Sequence, residues 1–141
     1  MAIASLAQRT TNLTITQASV QYLAAAAGRP KILELFITQA TATAQSLGFG
    51  RPQALGVTPV NVLFQMDDPG DPVSVVNGSL SWGTSPTVPL VFSRRWNGAA
   101  TIGVGVIWTF PRGYVIAASG AAVIWNITAA VACDVHCVID E

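Results

Sequence analysis

The stretch PRGYVIAASGAAVIWNITAAVACDVHCVIDE, Pro111 to Glu141, decides how the chain is read, because it divides into three β-strands on residue spacing alone. From Val131 the side chains alternate. Val131, Cys133, Val135, Cys137 and Ile139 share one face, while Ala132, Asp134, His136, Val138 and Asp140 share the other, as in a half-buried strand. Upstream, Ala121, Val123, Trp125 and Ile127 alternate with Ala122, Ile124, Asn126 and Thr128. Ser119-Gly120 supplies a turn back to a strand through Tyr114, Val115 and Ile116.

Working outward, Gly103–Phe110 sets Val104, Val106, Trp108 and Phe110 against Gly103, Gly105, Ile107 and Thr109, so glycines partly clear one face for close packing. Val88, Leu90 and Phe92 alternate into an expected turn at Arg94-Arg95-Trp96-Asn97-Gly98. Ser79–Trp82 reads as a short strand, and Asp67-Asp68-Pro69-Gly70-Asp71-Pro72 as a loop. Val57–Gln65 reads as a strand that Pro59 assigns to an edge or bulge, following a turn at Gly50-Arg51-Pro52. In Lys31–Gln39 the residues Leu33, Leu35 and Ile37 form an apolar face opposite Ile32, Glu34, Phe36 and Thr38. Thr16–Ala27 admits a helix capped by Thr16 and stopped at Gly28, or a strand through Ser19–Leu23; the β pattern that follows favours the strand. Residues 1–17, rich in Ala, Thr and Gln with Leu13 and Ile15 alternating, suit an arm that carries a short strand onto a neighbour's sheet edge. The expectation is an arm over 1–17 and one all-β domain over 18–141. Its roughly eight strands fit a sandwich or barrel.

The totals agree with one domain: 141 residues can bury a core without staples. Only 10% of residues are charged, seven basic against seven acidic, which offers no basic field for nucleic acid. Hydrophobic residues make up 51% and the mean hydropathy is +0.50, an excess that points to buried subunit interface. The uncharged run from Gly113 to Cys133 is long enough for a membrane helix, but its period is two and it contains Ser119-Gly120, Asn126 and Thr128. No membrane span is expected. Met1–Ala7 lacks the charged start of a secretory signal, so synthesis in the cytoplasm is expected.

Candidate chemistry is sparse. Cys133-Asp134-Val135-His136-Cys137 has the residue types of a zinc site, but a strand sends the thiols to one face and His136 and Asp134 to the other, whereas zinc needs convergent ligands. Four residues of strand separate the cysteines by about 13 Å, beyond the reach of a disulfide. Two buried structural thiols are expected. His136 is the one histidine, and no serine or cysteine stands in a nucleophile motif such as GxSxG. Asp67, Asp68 and Asp71 offer oxygen ligands to calcium, but their spacing is not that of an EF-hand and the Pro-Gly content accounts for a turn. Gly48-Phe49-Gly50 is too short for a phosphate loop and has no lysine after it. Three Asn-X-Ser/Thr sequons, at Asn12, Asn77 and Asn126, read as chance matches without a secretory signal. Arg94-Arg95-Trp96 has the composition of an interface hot spot or of an ordinary solvated strand end. No enzyme, no cofactor and no metal is expected.

Several segments together resemble the head decoration, or cement, proteins of tailed phages. They are the arm Met1–Gln17, Gly48-Phe49-Gly50-Arg51-Pro52, the Asp67–Pro72 loop, Ser81-Trp82-Gly83-Thr84, Ile107–Gly113 and Ala122-Val123-Ile124-Trp125-Asn126. The likeness runs from about Lys31 to Glu141 and rests on turns and aromatics. It implies a jelly-roll-like sandwich, assembled as a homotrimer, that sits on the outside of an expanded capsid and ties together capsomers of the major capsid protein. The virion surface would be its location. Arg94, Arg95, Trp96, Leu13 and Ile15 are then the candidate contact residues, with the arm as a strap. The alternative is a tail or fibre component whose jelly roll binds a receptor or glycan through Trp82, Trp96 and the Asp67–Asp71 loop.

Overall fold

The computed structural model describes residues 2–10, 17–128 and 131–141. Its strands are β1 (Ile3–Arg9), β2 (Ala18–Ala24), β3 (Lys31–Gln39), β4 (Gln45–Pro52), β5 (Asn61–Leu63) and β6 (Gln65–Met66). They continue as β7 (Val76–Ser79), β8 (Pro89–Gly98), β9 (Gly105–Val115), β10 (Ala121–Asn126) and β11 (Cys133–Asp140). The first four strands pair antiparallel with the last four in reverse order: β1 with β11, β2 with β10, β3 with β9 and β4 with β8. Those four ladders form one long ribbon. Rolling it places them alternately in two sheets, which β11 and β10 complete by also pairing with β3 and β4. The orders are β6-β1-β11-β3-β9 and β5-β7-β2-β10-β4-β8. This is a jelly roll, an all-β sandwich of eight strands with three short additions.

The additions all come from one insertion, residues 53–88, between β4 and β8. β7 extends the second sheet beyond β2, β5 pairs with β7, and β6 pairs with β1 of the first sheet. One side of the sandwich thus has both of its sheet edges covered. The insertion is held down by Phe64, whose ring meets Tyr22 edge-on at 5.7 Å, and by Glu141, whose carboxylate accepts from the backbone amide of Val75 and from the hydroxyl of Ser74. Residues 53–57 and 82–88 also cross the outer face of the second sheet. There Trp82 packs on Ala18, Val123 and Trp125, and Gly56 donates to the buried Gln21 side chain at 2.9 Å. Gly56 lies so close to the Trp82 ring that a Cβ would stand 2.2 Å from it.

The inner faces follow the sequence periodicity. Cys133, Val135, Cys137 and Ile139 of β11 are buried, as are Trp108 and Phe110 of β9 and Leu35 and Ile37 of β3. A bulge at Ile32/Glu34 turns Ile32 inward, so Leu33, which alternation puts on one face with Leu35 and Ile37, is only half-buried. Gly105 lies against the backbone of β3, where a Cβ would come within 2.3 Å of the Ile37 carbonyl oxygen; this is the close approach that its position suggested.

Three expectations are corrected. Residues 3–9 form no arm reaching to a neighbour: they are β1, a strand of the chain's own sheet held between β11 and β6, and Ala4 is fully buried. Leu13 and Ile15 lie outside the described residues. The turn read at Ser119-Gly120 is present, with Ser119 at φ 54°, and it leads from β9 of the first sheet to β10 of the second. Gly50–Pro52 and Arg94–Gly98 are not turns but run on as strand, since each supplies the ladder partners of the other's strand. Apart from an isolated bridge from Val57 to Thr84, the strand expected at 57–65 shrinks to β5 and β6, and the one at 79–82 shifts to β7.

Deleting residues 1–9 tests the first correction. It bares the edge of β11 and opens the core at Ala4, so the cooperative urea transition followed by far-UV circular dichroism is expected to be lost; an unchanged midpoint would return the segment to the status of an arm.

Candidate interaction surfaces

His136 stands on the outer face of the first sheet with Ala7 and Phe36 as its cross-strand neighbours, and Phe36 is opposite Ile107. Phe36 is 36% exposed and Ile107 57%. A shallow depression of about 470 Å³ lies here, bordered by Arg9, Phe36, Asp134 and His136. At its rim the Arg9 guanidinium donates twice to Asp134, both at 2.7 Å. That hydrogen bonding holds the Asp134 carboxyl below its usual range and raises the Arg9 pKa. Both oxygens of the nearest carboxylate along the strand are therefore committed to Arg9. The thiols of Cys133 and Cys137 point to the opposite face, into the core. The site offers imidazole, an aromatic ring and aliphatic surface, which is the chemistry of contact.

The cysteines are both free and buried. Gln45 donates to the Cys133 sulfur at 2.8 Å, and the Cys137 thiol meets the Tyr22 hydroxyl in the core. Burial raises both thiol pKa values above the ordinary 9.0, and it raises that of Tyr22 as well.

Arg94, Arg95 and Trp96 are not one patch. On the continuous strand β8, Trp96 packs against the core, Arg94 lies over the Phe110 ring at 5.1 Å and Arg95 over Phe92 at 5.8 Å. Arg51 covers Tyr114 at 4.3 Å and donates to the Val115 carbonyl at 2.8 Å. Phe49, Trp108, Phe110 and Tyr114 thus close the mouth of the sandwich between β8 and β9, with Arg51 and Arg94 as lids. This grouping escaped the sequence reading because Arg51, Arg94 and the four rings come from three strands, β4, β8 and β9; the one available signal was an aromatic or arginine at alternate positions of β8 and β9.

The proposed sugar platform is also dispersed. Trp82 is covered by Gly56 and Trp96 by the core. In the acidic loop Asp68 accepts from the Gly70 amide at 2.8 Å and Asp67 from the Ser5 hydroxyl at 3.2 Å, the contacts of a turn. Among the described residues no three His, Cys, Asp or Glu side chains converge as metal ligands.

The largest surface signal lies elsewhere. Among the described residues, nine of the twelve large exposed hydrophobic side chains, all but Phe36, Ile102 and Ile107, fall within residues 55–91. The only charges in that segment are Asp67, Asp68 and Asp71. No protein-family model, curated protein or solved structure matches the chain.

Buried thiols set an alkaline limit. In the folded chain they stay neutral, whereas in the unfolded chain they ionise near pH 9.0, so their contribution is complete below that value and is lost as pH rises past it. The urea midpoint is expected to fall above about pH 9, and less steeply in Cys133→Ala/Cys137→Ala. Without denaturant neither thiol should react with an aromatic disulfide reagent on the timescale of the unfolded chain; rapid labelling of the native protein would show that they are accessible.

Proposed function

We propose that this chain is a structural virion protein of the decoration type, which binds the outside of a phage capsid as a homotrimer and stabilises it by bridging capsomers of the major capsid protein. The observation that carries the reading is the placement of apolar surface. Val57 is 56% exposed, on the layer that the insertion lays across the outer face of the second sheet, and Val60, 64% exposed, follows it on the way into β5. Exposed apolar side chains concentrated in one nearly uncharged segment are the mark of a protein contact. The jelly roll is compatible with the reading, although that fold also serves many other functions.

A rigid sandwich suits this work. The insertion is tied to both sheets by β6 and β7 and to β11 through Glu141, so its outer side chains are already ordered before contact and lose little freedom on binding. A subunit that binds the assembled shell in preference to free capsid protein stabilises the shell by mass action. Three linked subunits engage it with the effective concentration of a multivalent ligand.

Val57→Asp/Val60→Asp tests the assignment. Both positions are exposed, so the fold is expected to stand, while co-sedimentation with shells of the same virus should weaken at least about tenfold, the effect of about 1.4 kcal/mol. Ile102→Asp, at a site 66% exposed outside the insertion, should bind as the parent does. Equal binding by all three chains would remove the insertion from the interface.

A further inference from the structure

The net charge of zero hides a segregation. Of the seven basic residues, Arg51, Arg94, Arg95 and Arg112 lie on β4, β8 and β9, at the side where both sheets end. Each caps a ring or stands exposed, and none of the four belongs to an ion pair among the described residues. At the far edge of the first sheet, beyond β6, are Asp67, Asp68 and Asp71. The two groups are level with one another. Ladder partners run in one row from Met66 through Ala4, Ile139 and Ile32 to Tyr114, so the acidic loop leaves one end of a row whose other end is the ring that Arg51 covers.

Each flank also carries exposed apolar side chains. Leu63 (51%) and Val73 (72%) bracket the acidic loop, and Leu90 (82%) and Val91 (73%) precede the arginines on β8. In addition, β8 and β9, ten and eleven residues long, each leave one edge without a strand partner among the described residues, while the opposite edges are covered by the insertion. Opposite charge, matching height and an apolar centre on each side describe two halves of one interface.

We infer that copies of this chain associate head to tail, with the Arg51/Arg94/Arg112 flank of one copy against the Asp67–Asp71 loop, Leu63 and Val73 of the next. The two surfaces differ, so the contact is heterologous, and it closes into a ring when the turn between copies divides the circle. Val57, bridged to Thr84 in the segment that crosses the outer face of the second sheet, lies apart from both flanks, so the same subunits can engage a shell through that layer. This deepens the assembly part of the proposed reading and stands or falls separately from capsid binding.

Analytical ultracentrifugation tests it. At about 0.1 M salt the chain is expected to sediment well above its 14.7 kDa, and its mass should fall towards that value near 1 M, where the screening length drops to about 3 Å. R94E/R112E and D68K/D71K, each with the circular dichroism of the parent, should both sediment as monomers at low salt. The chain carrying all four changes should associate again, since its flanks are complementary with the signs exchanged. A parent that is monomeric at low salt, or an oligomer whose mass neither salt nor charge reversal alters, would overturn the inference; the salt series decides even if a variant fails to fold. Loss of capsid binding by Val57→Asp/Val60→Asp is unaffected by either result.

Discussion

Strand β10 is buried on both faces, and the rest of the structure answers that requirement. Ala122 and Ile124 point into the sandwich, while Val123 and Trp125 point out of it. A two-layer sandwich covers one face of each sheet and leaves the other wet. The jelly roll places β10 between β2 and β4, and the insertion supplies a third layer through Trp82 and the Gly56 contact with Gln21. Burying this second apolar face stabilises the fold by roughly 25 cal/mol per Å² of surface removed from water. The same layer turns a different set of valines and leucines outward. Core formation and the exposed apolar surface thus have one structural cause, and they cannot be altered independently at the root of the insertion.

A second consequence concerns edges. Among the described residues, sheets closed on one side by β5, β6 and β7 are left open on the other, where β8 and β9 form the edges. Four arginines stand at that side, and three of them, Arg51, Arg94 and Arg95, lie over aromatic rings. Guanidinium groups over rings gain from the ring quadrupole and keep free N–H donors directed outward. The flank is therefore both a seal for the core and a cationic surface, and the acidic loop across the sheet is its electrostatic counterpart within the same chain.

Period-two alternation was enough to read the all-β class, the inward cysteines of β11 and the large-residue face of β9, because each depends only on neighbours along one strand. The register shift at Ile32/Glu34 was not legible, since a bulge depends on a partner strand that sequence spacing does not reveal. Arg94–Gly98 was misread as a turn for a related reason. Asn97 and Gly98 have turn propensity, but in the fold they meet Ser46 and Gln45 of β4, and the ladder overrides the local preference. The arm illustrates the same limit: Ile3–Arg9 has weak strand character by itself and becomes a strand because β11, more than 120 residues later, offers it an edge. Long-range pairing also hid the charged flanks, whose members are scattered along the chain.

The central claim, a decoration subunit that works through its surfaces, is tested most directly by counting this chain against the major capsid protein in purified virus particles, by quantitative mass spectrometry. The account predicts copies comparable in number to the capsid protein, because only the shell lattice offers that many equivalent sites. A handful of copies per particle would place the chain at the tail or portal vertex, and none would contradict the account outright.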